Sequence, residues 1–477
     1  YSTYSRLREN QATPRQMLKI ELYSYMNHNY SSRSMELSCK RDVNFMYLLE
    51  GSPVPDHSTF ARFRSLHFAP CSETIMAEMT NFLYDIGEIS GDSIFIDGTK
   101  IEACANKYTF VWKKAVSKNL ERLLSKLADF VAECEELYGI KLVYDNKVKM
   151  KHVKKLHKKL YALKQKENIE FVHGCGKRKT PIQRSIEKLE EYLNKLKEYT
   201  QKIHTCGKRN SYSKTDKDAT FMRMKEDAMK NGQLKPAYNV QHGVDSEYIV
   251  WLTVGAQPAD TTTLIPFLKS MEDFLYFRYL KITTDSGYES EENYCYIKEN
   301  GQLSYIKPAN YEIAKTRKYK NDISRIENMD YDELGDYYIC KNNKKLTVNK
   351  IVKRKSKTGY INERTIYTSE DCSNCVYKSK CIKGHNCKTP LEERTKNLET
   401  SKLFNMLRKE NLERIVSEEG CELRTNRSIQ AEGSFAEIKQ DMGFRRYLCK
   451  GKKNVLAENV LLAMAHNINK LHNKIQS

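Results

Sequence analysis

Leucines and other apolar residues recur at helical spacing through the Lys-rich middle of the chain. Between residues 113 and 205 they fall at positions i, i+3, i+4 and i+7, with charged residues between them. The apolar series are Leu120, Leu123, Leu124, Leu127 and Val131, then Val153, Leu156, Leu160 and Leu163, then Ile182, Ile186, Leu189, Leu193 and Leu196. One apolar stripe per helix is typical of amphipathic helices that bury one face. The spacing therefore predicts two to four long helices that pack together.

The first 90 residues also predict helices. In PVPDHSTFARFRSLHF, Asp56 or Ser58 can cap a helix that carries Arg62 and Arg64. Two interpretations stay open for this basic segment. It is either a DNA-binding unit of the helix-turn-helix kind, with the two arginines as DNA contacts, or an ordinary helical domain with solvated arginines.

Alternating apolar and polar positions predict strands in other parts of the chain. One strand, SIFID, ends at Asp97, and AYNVQHGVD with EYIVWLTVG predicts a β-hairpin. A helix, a strand ending at Asp285, a second helix and a further strand follow, and the C-terminus is again helical. This order predicts an α/β fold in which a mixed sheet carries helices on both faces.

The composition narrows the possible partners. The chain has 477 residues, which is long enough for two or more domains. Because 40% of these residues are hydrophobic, the chain can bury a large core. The 81 Lys and Arg residues exceed the 61 Asp and Glu residues, and a net charge of +20 favours a polyanion such as nucleic acid. Because no run of about 18 apolar residues and no signal peptide is present, we expect a cytoplasmic protein without membrane contact. Disulfides among its 14 cysteines are not expected there.

Two aspartates follow predicted strands that can lie side by side. If these strands are parallel neighbours, Asp97 and Asp285 meet at the edge of the sheet where open α/β sheets place their sites. Close carboxylates repel one another unless a cation lies between them, and Mg²⁺ prefers oxygen ligands. The sequence therefore predicts a site for Mg²⁺ or Mn²⁺. Asp216 and Asp218 are the main rivals, and we interpret them as loop and cap residues.

Helix geometry selects a third carboxylate in SIQAEGSFAEIKQDM. At 100° per residue three apolar residues form a stripe toward the core: Phe435, Ile438 and Met442. Glu432 and Lys439 lie within about 20° of each other at the edge of this stripe. Glu432 is predicted to face the edge of the sheet, and Lys439 to hold a DNA phosphate. Glu437 lies well away from the stripe and is predicted to be solvated.

Several segments resemble bacterial insertion-sequence DDE transposases, enzymes with an RNase H-like core. These segments are FIDGTKIEACAN, RNSYSKTDKDATFM, AYNVQHGVDSEYIV, TTDSGYES, YIKP and AEGSFAEIKQDMGFRR. The resemblance implies a DNA transposase whose catalytic, metal-binding residues are Asp97, Asp285 and Glu432. One branch of these enzymes has a signature of Tyr, two residues, Arg, three residues, Glu, six residues and Lys. Glu432 and Lys439 keep its last gap, whereas the DNA-contact candidate Arg427 is one residue too far from Glu432 and the Tyr is missing.

The patterns and the resemblance together divide the chain into six segments. They are a helical N-terminal DNA-binding domain (1–90), the first part of an RNase H-like core (91–112), a helical Lys-rich insertion (113–230), the continued core (231–310), a Cys-rich insertion (311–420) and the C-terminal core helices (421–477). By analogy with the family, we expect the first segment to bind the terminal repeats of the element.

The cysteines of the fifth segment have the spacing of a zinc site. The candidate ligands are Cys340, Cys372, Cys375 and Cys381. Four thiolates around a tetrahedral Zn²⁺ suit a polar insertion that cannot build its own core. His385 or Cys387 can replace Cys340, and free thiols are the alternative.

Two residues after the first aspartate are further candidates for DNA contacts. Lys100 can bind a phosphate, and Trp112 can stack on a base that has left the duplex. The alternative for Trp112 is a core aromatic.

These features favour a transposase that nicks a DNA strand and joins the freed 3′-OH to target DNA. Strand transfer requires two element ends held together, so we expect a homodimer in the active complex. Two alternatives stay open: an RNase H-like nuclease that only hydrolyses DNA, and a domesticated sequence-specific DNA-binding protein without catalysis.

Overall fold

The computed structural model describes residues 11–144, 148–174, 176–224, 232–384, 387 and 389–476. The chain divides into two compact units. The first unit comprises the chain up to Thr99, residues 239–448 and residues from 453 onward, and the second comprises residues 100–238 and 449–452. Within the described ranges, no helix is both long enough and apolar enough to cross a membrane.

Helices and strands alternate along much of the chain. The α-helices are α1 (Pro14–Met26), α2 (Ser32–Arg41), α3 (Val43–Leu49), α4 (His57–Arg62), α5 (Ser72–Asp85), α6 (Lys113–Tyr138), α7 (Met150–Lys166), α8 (Pro181–Cys206), α9 (Leu264–Glu272), α10 (Glu291–Glu299), α11 (Arg317–Lys320), α12 (Lys378–Cys381), α13 (Lys402–Val416), α14 (Glu418–Ala436) and α15 (Lys452–Gln476). The strands are β1 (Ser93–Glu102), β2 (Phe110–Trp112), β3 (Ser211–Ser213), β4 (Thr220–Arg223), β5 (Leu234–Asp245), β6 (Tyr248–Gly255), β7 (Lys281–Thr284), β8 (Leu303–Ile306), β9 (Asp330–Asp332), β10 (Tyr337–Ile339), β11 (Lys345–Lys355), β12 (Ile361–Ser369) and β13 (Asn397–Thr400).

Side chains cap the first turns of the N-terminal helices. Thr13 and Gln16 form a reciprocal capping box at the start of α1. Of the two candidate caps for α4, Asp56 is the one used, because its side chain accepts a hydrogen bond of 2.7 Å from the N–H of Thr59. The segment 11–85 is therefore helical, as predicted.

A mixed sheet forms the centre of the first unit. Its strands lie in the order β6-β5-β1-β7-β8. β5 and β6 form the predicted antiparallel hairpin, and β7 runs parallel to both β1 and β8. The α/β class and the adjacency of β1 and β7 are confirmed.

Side chains of β1 alternate between two layers of helices. Phe95 packs in one cluster with Ile415 of α13 and Leu423 of α14. Ile94 points to the opposite face, where a Cβ on Gly243 would lie 2.6 Å from Ile94 and 2.7 Å from Phe267 of α9. Helices therefore cover both faces of the sheet.

Strand β1 is longer than predicted, since it continues beyond Asp97 to Glu102. The alternation persists in GTKIE, where Thr99 and Ile101 are buried and Lys100 is only half-buried. What ends near Asp97 is the pairing of β1 with β7, whose last matched residues are Ile96 and Thr284.

The second unit is built on α6, α7 and α8, a number within the predicted range of two to four helices. Both α6 and α7 pack against α8. Their apolar stripes form one buried core that includes Leu123, Leu127, Val131, Leu156, Leu160, Ile186 and Leu189. In the same unit β2 pairs with β3, and β4 pairs with the beginning of β5.

The Cys-bearing segment forms a second sheet in the first unit, antiparallel and with the strand order β13-β12-β11-β10-β9. A small core holds one face of this sheet together: Tyr338, Leu346, Tyr367 and Leu398. The expectation that this insertion cannot build its own core is therefore wrong, because short strands bury one alternating set of apolar side chains.

Helix α14 continues into a π-helical segment, Glu437–Asp441. Phe435, Ile438 and Met442 are buried, as the helical wheel predicts. The predicted exposure of Glu437 is wrong: it is half-buried, and its Oε2 lies 2.9 Å from Nδ1 of His466. The wheel of α14 shows only the positions along that helix and not the distant partner, His466 of α15, against which Glu437 lies.

Candidate active site

Asp97 and Asp285 occupy neighbouring positions on two parallel strands. The register of β1 and β7 ends with Ile96 opposite Thr284, and each aspartate is the next residue of its strand. Neighbouring strands are about 4.8 Å apart, so the two aspartates emerge within a few ångström of each other. The structure thus brings these two predicted residues together.

Main-chain hydrogen bonds orient both carboxylates. Oδ1 of Asp97 accepts the N–H of Gly98 at 2.8 Å, and Oδ1 of Asp285 accepts the N–H of Gly287 at 2.8 Å. Gly287 belongs to the short 3-10 turn Ser286–Tyr288 that follows β7. The Asp97 carboxylate is therefore fixed against the main chain of β1, and the Asp285 carboxylate against the turn that follows β7.

Arg427 on α14 links the first predicted carboxylate to the third. Its Nη2 lies 2.9 Å from Oε1 of Glu432, and its Nη1 lies 3.8 Å from Oδ1 of Asp97. The side chains of Arg427 and Asp97 are 14% and 11% exposed, whereas that of Glu432 is 59% exposed. Glu432 therefore reaches the aspartate side of the sheet from its rim, with a guanidinium between the carboxylates.

Lys439 also reaches β1. Its Nζ donates to Oγ1 of Thr99 at 2.7 Å, and Thr99 is two residues beyond Asp97. A cation thus lies beside the carboxylates, at the position where the sequence suggested a phosphate contact.

Next to these residues lies a cluster of polar side chains that the sequence analysis missed: half-buried Asp260 and the buried Asn239, Gln241 and Tyr288. Asp260 begins a 3-10 turn after β6, and its Oδ1 accepts hydrogen bonds from Asn239 at 2.7 Å and from Gln241 at 3.3 Å. The hydroxyl of the buried Tyr288 donates to Oε1 of Gln241. Polar residues in the otherwise buried strand β5 were the available signal, since buried polar groups need partners.

The electrostatics of Tyr288 show how closely the acidic groups converge. Burial raises the pKa of its hydroxyl well above the ordinary value, and the negative charges of Asp260, Asp97 and Asp285 raise this pKa further. The hydroxyl therefore stays protonated and remains a hydrogen-bond donor.

The donor set suits a hard divalent cation, because all of its candidate ligands are carboxylate oxygens. As the side chains lie, no group of three or more Asp, Glu, His or Cys residues in the described ranges has the spacing of a metal site. The Arg427 guanidinium between Asp97 and Glu432 gives a physical reason, since one cation already compensates these two charges.

The two arginines proposed as N-terminal DNA contacts have different environments. Arg62 is exposed, and its hydrogen bonds to described residues stay within its own helix, to Ser58 at 3.2 Å and Thr59 at 3.5 Å. Arg64 is 3% exposed and paired with buried Glu21 at 2.9 Å. This geometry does not favour a DNA contact by Arg64, because its charge is already compensated inside the helical domain.

The candidates after Asp97 are also engaged within the protein. Nζ of Lys100 donates to the carbonyl oxygen of Arg223 at 3.1 Å. The half-buried Trp112 packs near Phe110 and Phe221, with ring centroids 5.8 and 6.1 Å apart. This packing favours the core interpretation of Trp112.

The rival aspartates belong to the second unit. Oδ2 of Asp216 accepts the hydroxyl of Tyr238 at 2.8 Å, and Oδ2 of Asp218 accepts the N–H of Lys452 at 2.9 Å. Both residues lie in a loop and bind neighbouring chain segments, which fits the interpretation as loop and cap residues.

The four candidate zinc ligands line a single cavity of about 20 Å³ in the Cys-rich sheet: Cys340, Cys372, Cys375 and Cys381. Burial raises the pKa of Cys381, the nearby Lys396 opposes this rise, and the other three thiols add to it. The main-chain N–H of Lys396 donates to Sγ of Cys372 at 3.4 Å. Of the alternative ligands, Cys387 is exposed and absent from this cavity lining, and His385 lies outside the described residues.

Comparisons with known proteins support the class that the motifs suggest. A family model described as Transposase DDE domain matches residues 339–472, and one described as Transposase domain (DUF772) matches residues 1–66. The two matches indicate an insertion-sequence DDE transposase, which confirms the resemblance. The first match includes Glu432, Lys439 and the four cysteines. No curated protein and no solved structure matches the chain.

Proposed function

We propose that this chain is a DNA transposase with an RNase H-like core whose catalytic residues are Asp97, Asp285 and Glu432. The observation that carries the proposal is the convergence of Asp97 and Asp285 on neighbouring strands, with Arg427 joining Asp97 to Glu432. The parallel strands β1, β7 and β8 beside an antiparallel hairpin, with helices on both faces, support the proposed core. The family match around Glu432 supports the choice of the third residue.

The three carboxylates are the residues that would hold Mg²⁺ or Mn²⁺. When bound, such ions activate the attacking oxygen and stabilise the leaving oxygen of a phosphodiester. The N–H groups of Gly98 and Gly287 keep the two aspartates in fixed orientations, which lowers the cost of organising the site. Lys439 brings a positive charge that suits a DNA phosphate beside Asp97.

A basic ribbon supports DNA as the partner. Strands β11 and β12 form a long antiparallel pair, and most side chains of β11 are exposed. Between residues 345 and 364, seven side chains are Lys or Arg and one is Glu. The tip contacts α10, the helix after Asp285, through hydrogen bonds from Thr358 to Glu292 at 2.6 Å and from Tyr360 to Glu291 at 2.9 Å. A two-stranded ribbon fits the major groove, and its lysines suit phosphates.

The cysteine cavity supports a structural Zn²⁺ as a second part of the proposal. Its four thiols line one small cavity, although as the side chains lie they do not have the spacing of a metal site; Zn²⁺ would draw them into a tetrahedral thiolate site, a kind of site that stabilises small domains. Elemental analysis of the purified protein should find about one zinc per chain. Less than half an equivalent, in protein purified without chelator, would contradict this part.

A strand-transfer assay tests the function. Labelled duplexes carrying the DNA that flanks the coding region are incubated with the protein, Mg²⁺ and a circular plasmid. Label joined to the plasmid supports a transposase. Cleavage without joining supports the nuclease alternative, and a mobility shift without cleavage supports the DNA-binding alternative. Joining by a complex with two protein copies would also support the expected homodimer.

Asp285→Asn tests the assignment of the site. The variant keeps an oxygen that can accept the N–H of Gly287, but it loses the charge, so cleavage should fall at least a thousandfold while DNA binding changes less than threefold. The matched control is Asp332→Asn, because Asp332 likewise accepts a turn N–H, that of Gly335 at 2.7 Å, outside the proposed site. Normal cleavage by Asp285→Asn would refute the assignment.

A further inference from the structure

The glycines next to the two proposed catalytic aspartates face the same acidic side chain. A Cβ on Gly98 would lie 2.6 Å from Nε2 of Gln241 and 3.0 Å from Oδ1 of Asp260. A Cβ on Gly287 would lie 3.4 Å from Oδ2 of Asp260. The carboxylate of Asp260 therefore lies between strand β1 at Gly98 and the 3-10 turn after Asp285, with Oδ1 toward the strand and Oδ2 toward the turn.

Buried amides hold Asp260 in this place. Asn239 and Gln241, each 1% exposed, both donate to its Oδ1. Asn239 also donates to the carbonyl oxygen of Gln257 at 3.0 Å, and Gln241 accepts the hydroxyl of Tyr288. Because these partners are themselves bonded and buried, the position of the carboxylate is fixed before any ligand binds.

The arrangement exceeds what a helix cap needs. Both hydrogen bonds described for the Asp260 carboxylate come from side chains of β5 rather than from the main chain of the 3-10 turn that Asp260 begins. Its negative charge, like those of Asp97 and Asp285, raises the pKa of the Tyr288 hydroxyl. Asp260 is thus part of the same electrostatic group as the two aspartates.

We propose that Asp260 is a fourth acidic residue of the site, a positioning residue that sets the affinity for the divalent cation. It acts in two ways: held by its amide partners, it keeps strand β1 at Asp97 and the turn after Asp285 at a fixed distance, and its charge strengthens the attraction for a cation bound by the two aspartates. This inference rests on the proposed function, since it concerns the same site.

The Asp260→Asn variant tests the charge of this side chain while its shape stays nearly the same. The variant keeps an oxygen that can accept from Asn239 and Gln241, and it removes one negative charge. For a doubly charged cation about 6 Å away and screened as in water, this loss corresponds to roughly a tenfold weaker affinity. The matched control is Asp273→Asn, an exposed aspartate just after α9.

The readout is Mn²⁺ binding to the DNA-free protein, followed by the loss of the free-ion electron paramagnetic resonance signal. Asp260→Asn should bind Mn²⁺ about tenfold more weakly, and the Mg²⁺ concentration for half-maximal cleavage should rise by a similar factor. Asp273→Asn should match the unmodified protein in both assays.

Unchanged Mn²⁺ binding and Mg²⁺ dependence in Asp260→Asn would overturn this inference. Failure of the proposed function has a different signature: Asp97→Asn and Asp285→Asn would then still cleave DNA. If those two variants are inactive while Asp260→Asn behaves like the unmodified protein, only the role of Asp260 is wrong. Asp260→Ala, which also loses the amide contacts, should lower both metal affinity and the maximal rate.

Discussion

Arg427→Gln tests whether the guanidinium serves as the internal counter-charge of the site. The change removes a cation 2.9 Å from Glu432 and 3.8 Å from Asp97. We expect it to weaken the metal-free protein and to strengthen metal binding. The two effects have the same cause, because carboxylates that lose an internal cation repel one another and attract an external one.

The exposure of the two carboxylates and their distances from Arg427 set the size of the expected stability loss in the metal-free protein. Glu432 is 59% exposed, so its pair with Arg427 contributes well under about 1 kcal/mol. Asp97 is 11% exposed and loses compensation for a nearly buried charge, although the 3.8 Å separation is long for a strong ion pair. Together these terms give a loss of about 1 to 2 kcal/mol in the free energy of unfolding without metal.

The assay combines urea unfolding in EDTA with Mn²⁺ titration. Arg427→Gln should unfold at lower urea than the unmodified protein and should bind Mn²⁺ several-fold more tightly. The control is Arg424→Gln on the same helix, where the guanidinium lies over the ring of Tyr311, 5.0 Å from its centroid. Unchanged metal-free stability together with weaker Mn²⁺ binding would refute the counter-charge role.

Three further predictions test other parts of the account. Arg64→Ala should lower the free energy of unfolding by about 3 to 5 kcal/mol, because it leaves the buried Glu21 without its charged partner. Exposed Arg62→Ala should leave the urea midpoint unchanged and weaken DNA binding in a salt-dependent way. Equal stability losses in the two variants would contradict this. Gly98→Ala should abolish cleavage, since its Cβ would displace Gln241. The control Gly433→Ala, whose Cβ would meet nothing within 4 Å outside its own helix, should preserve cleavage and fold at least as stably. Cleavage by Gly98→Ala would refute the packing argument. Burial lowers the pKa of His242 to about 3, so below about pH 6.5 the unfolded chain binds a proton that the folded one does not. The free energy of unfolding should therefore decrease as the pH is lowered, by up to about 1.4 kcal/mol per pH unit. In urea titrations the stability of His242→Phe should decrease less steeply between pH 7 and pH 5.

The sequence predicts those features that depend on local periodicity. The stripes that contain Leu127, Leu160 and Leu189 define three helices because each stripe must be buried. The adjacency of β1 and β7 follows from the order of elements and the usual crossover of parallel strands. The convergence of Asp97 and Asp285 follows from that adjacency.

Features that depend on distant partners are not readable from the pattern. Arg64 looks like a surface residue until its pairing with Glu21 is known. Asp260 looks like a helix cap, and its contact with the site depends on the packing of β5 beside β1. Glu437 is half-buried because it lies against His466 of α15, and no periodicity within its own helix signals that partner.

The most direct test of the central claim is the position of Mn²⁺ in a crystal of the protein bound to its DNA end, located by anomalous diffraction. The account predicts a peak about 2.1 to 2.2 Å from carboxylate oxygens of Asp97 and Asp285, with Glu432 bound to an ion of the same site and Arg427 displaced. A peak at Asp216 and Asp218, or none beside Asp97 and Asp285, would contradict it.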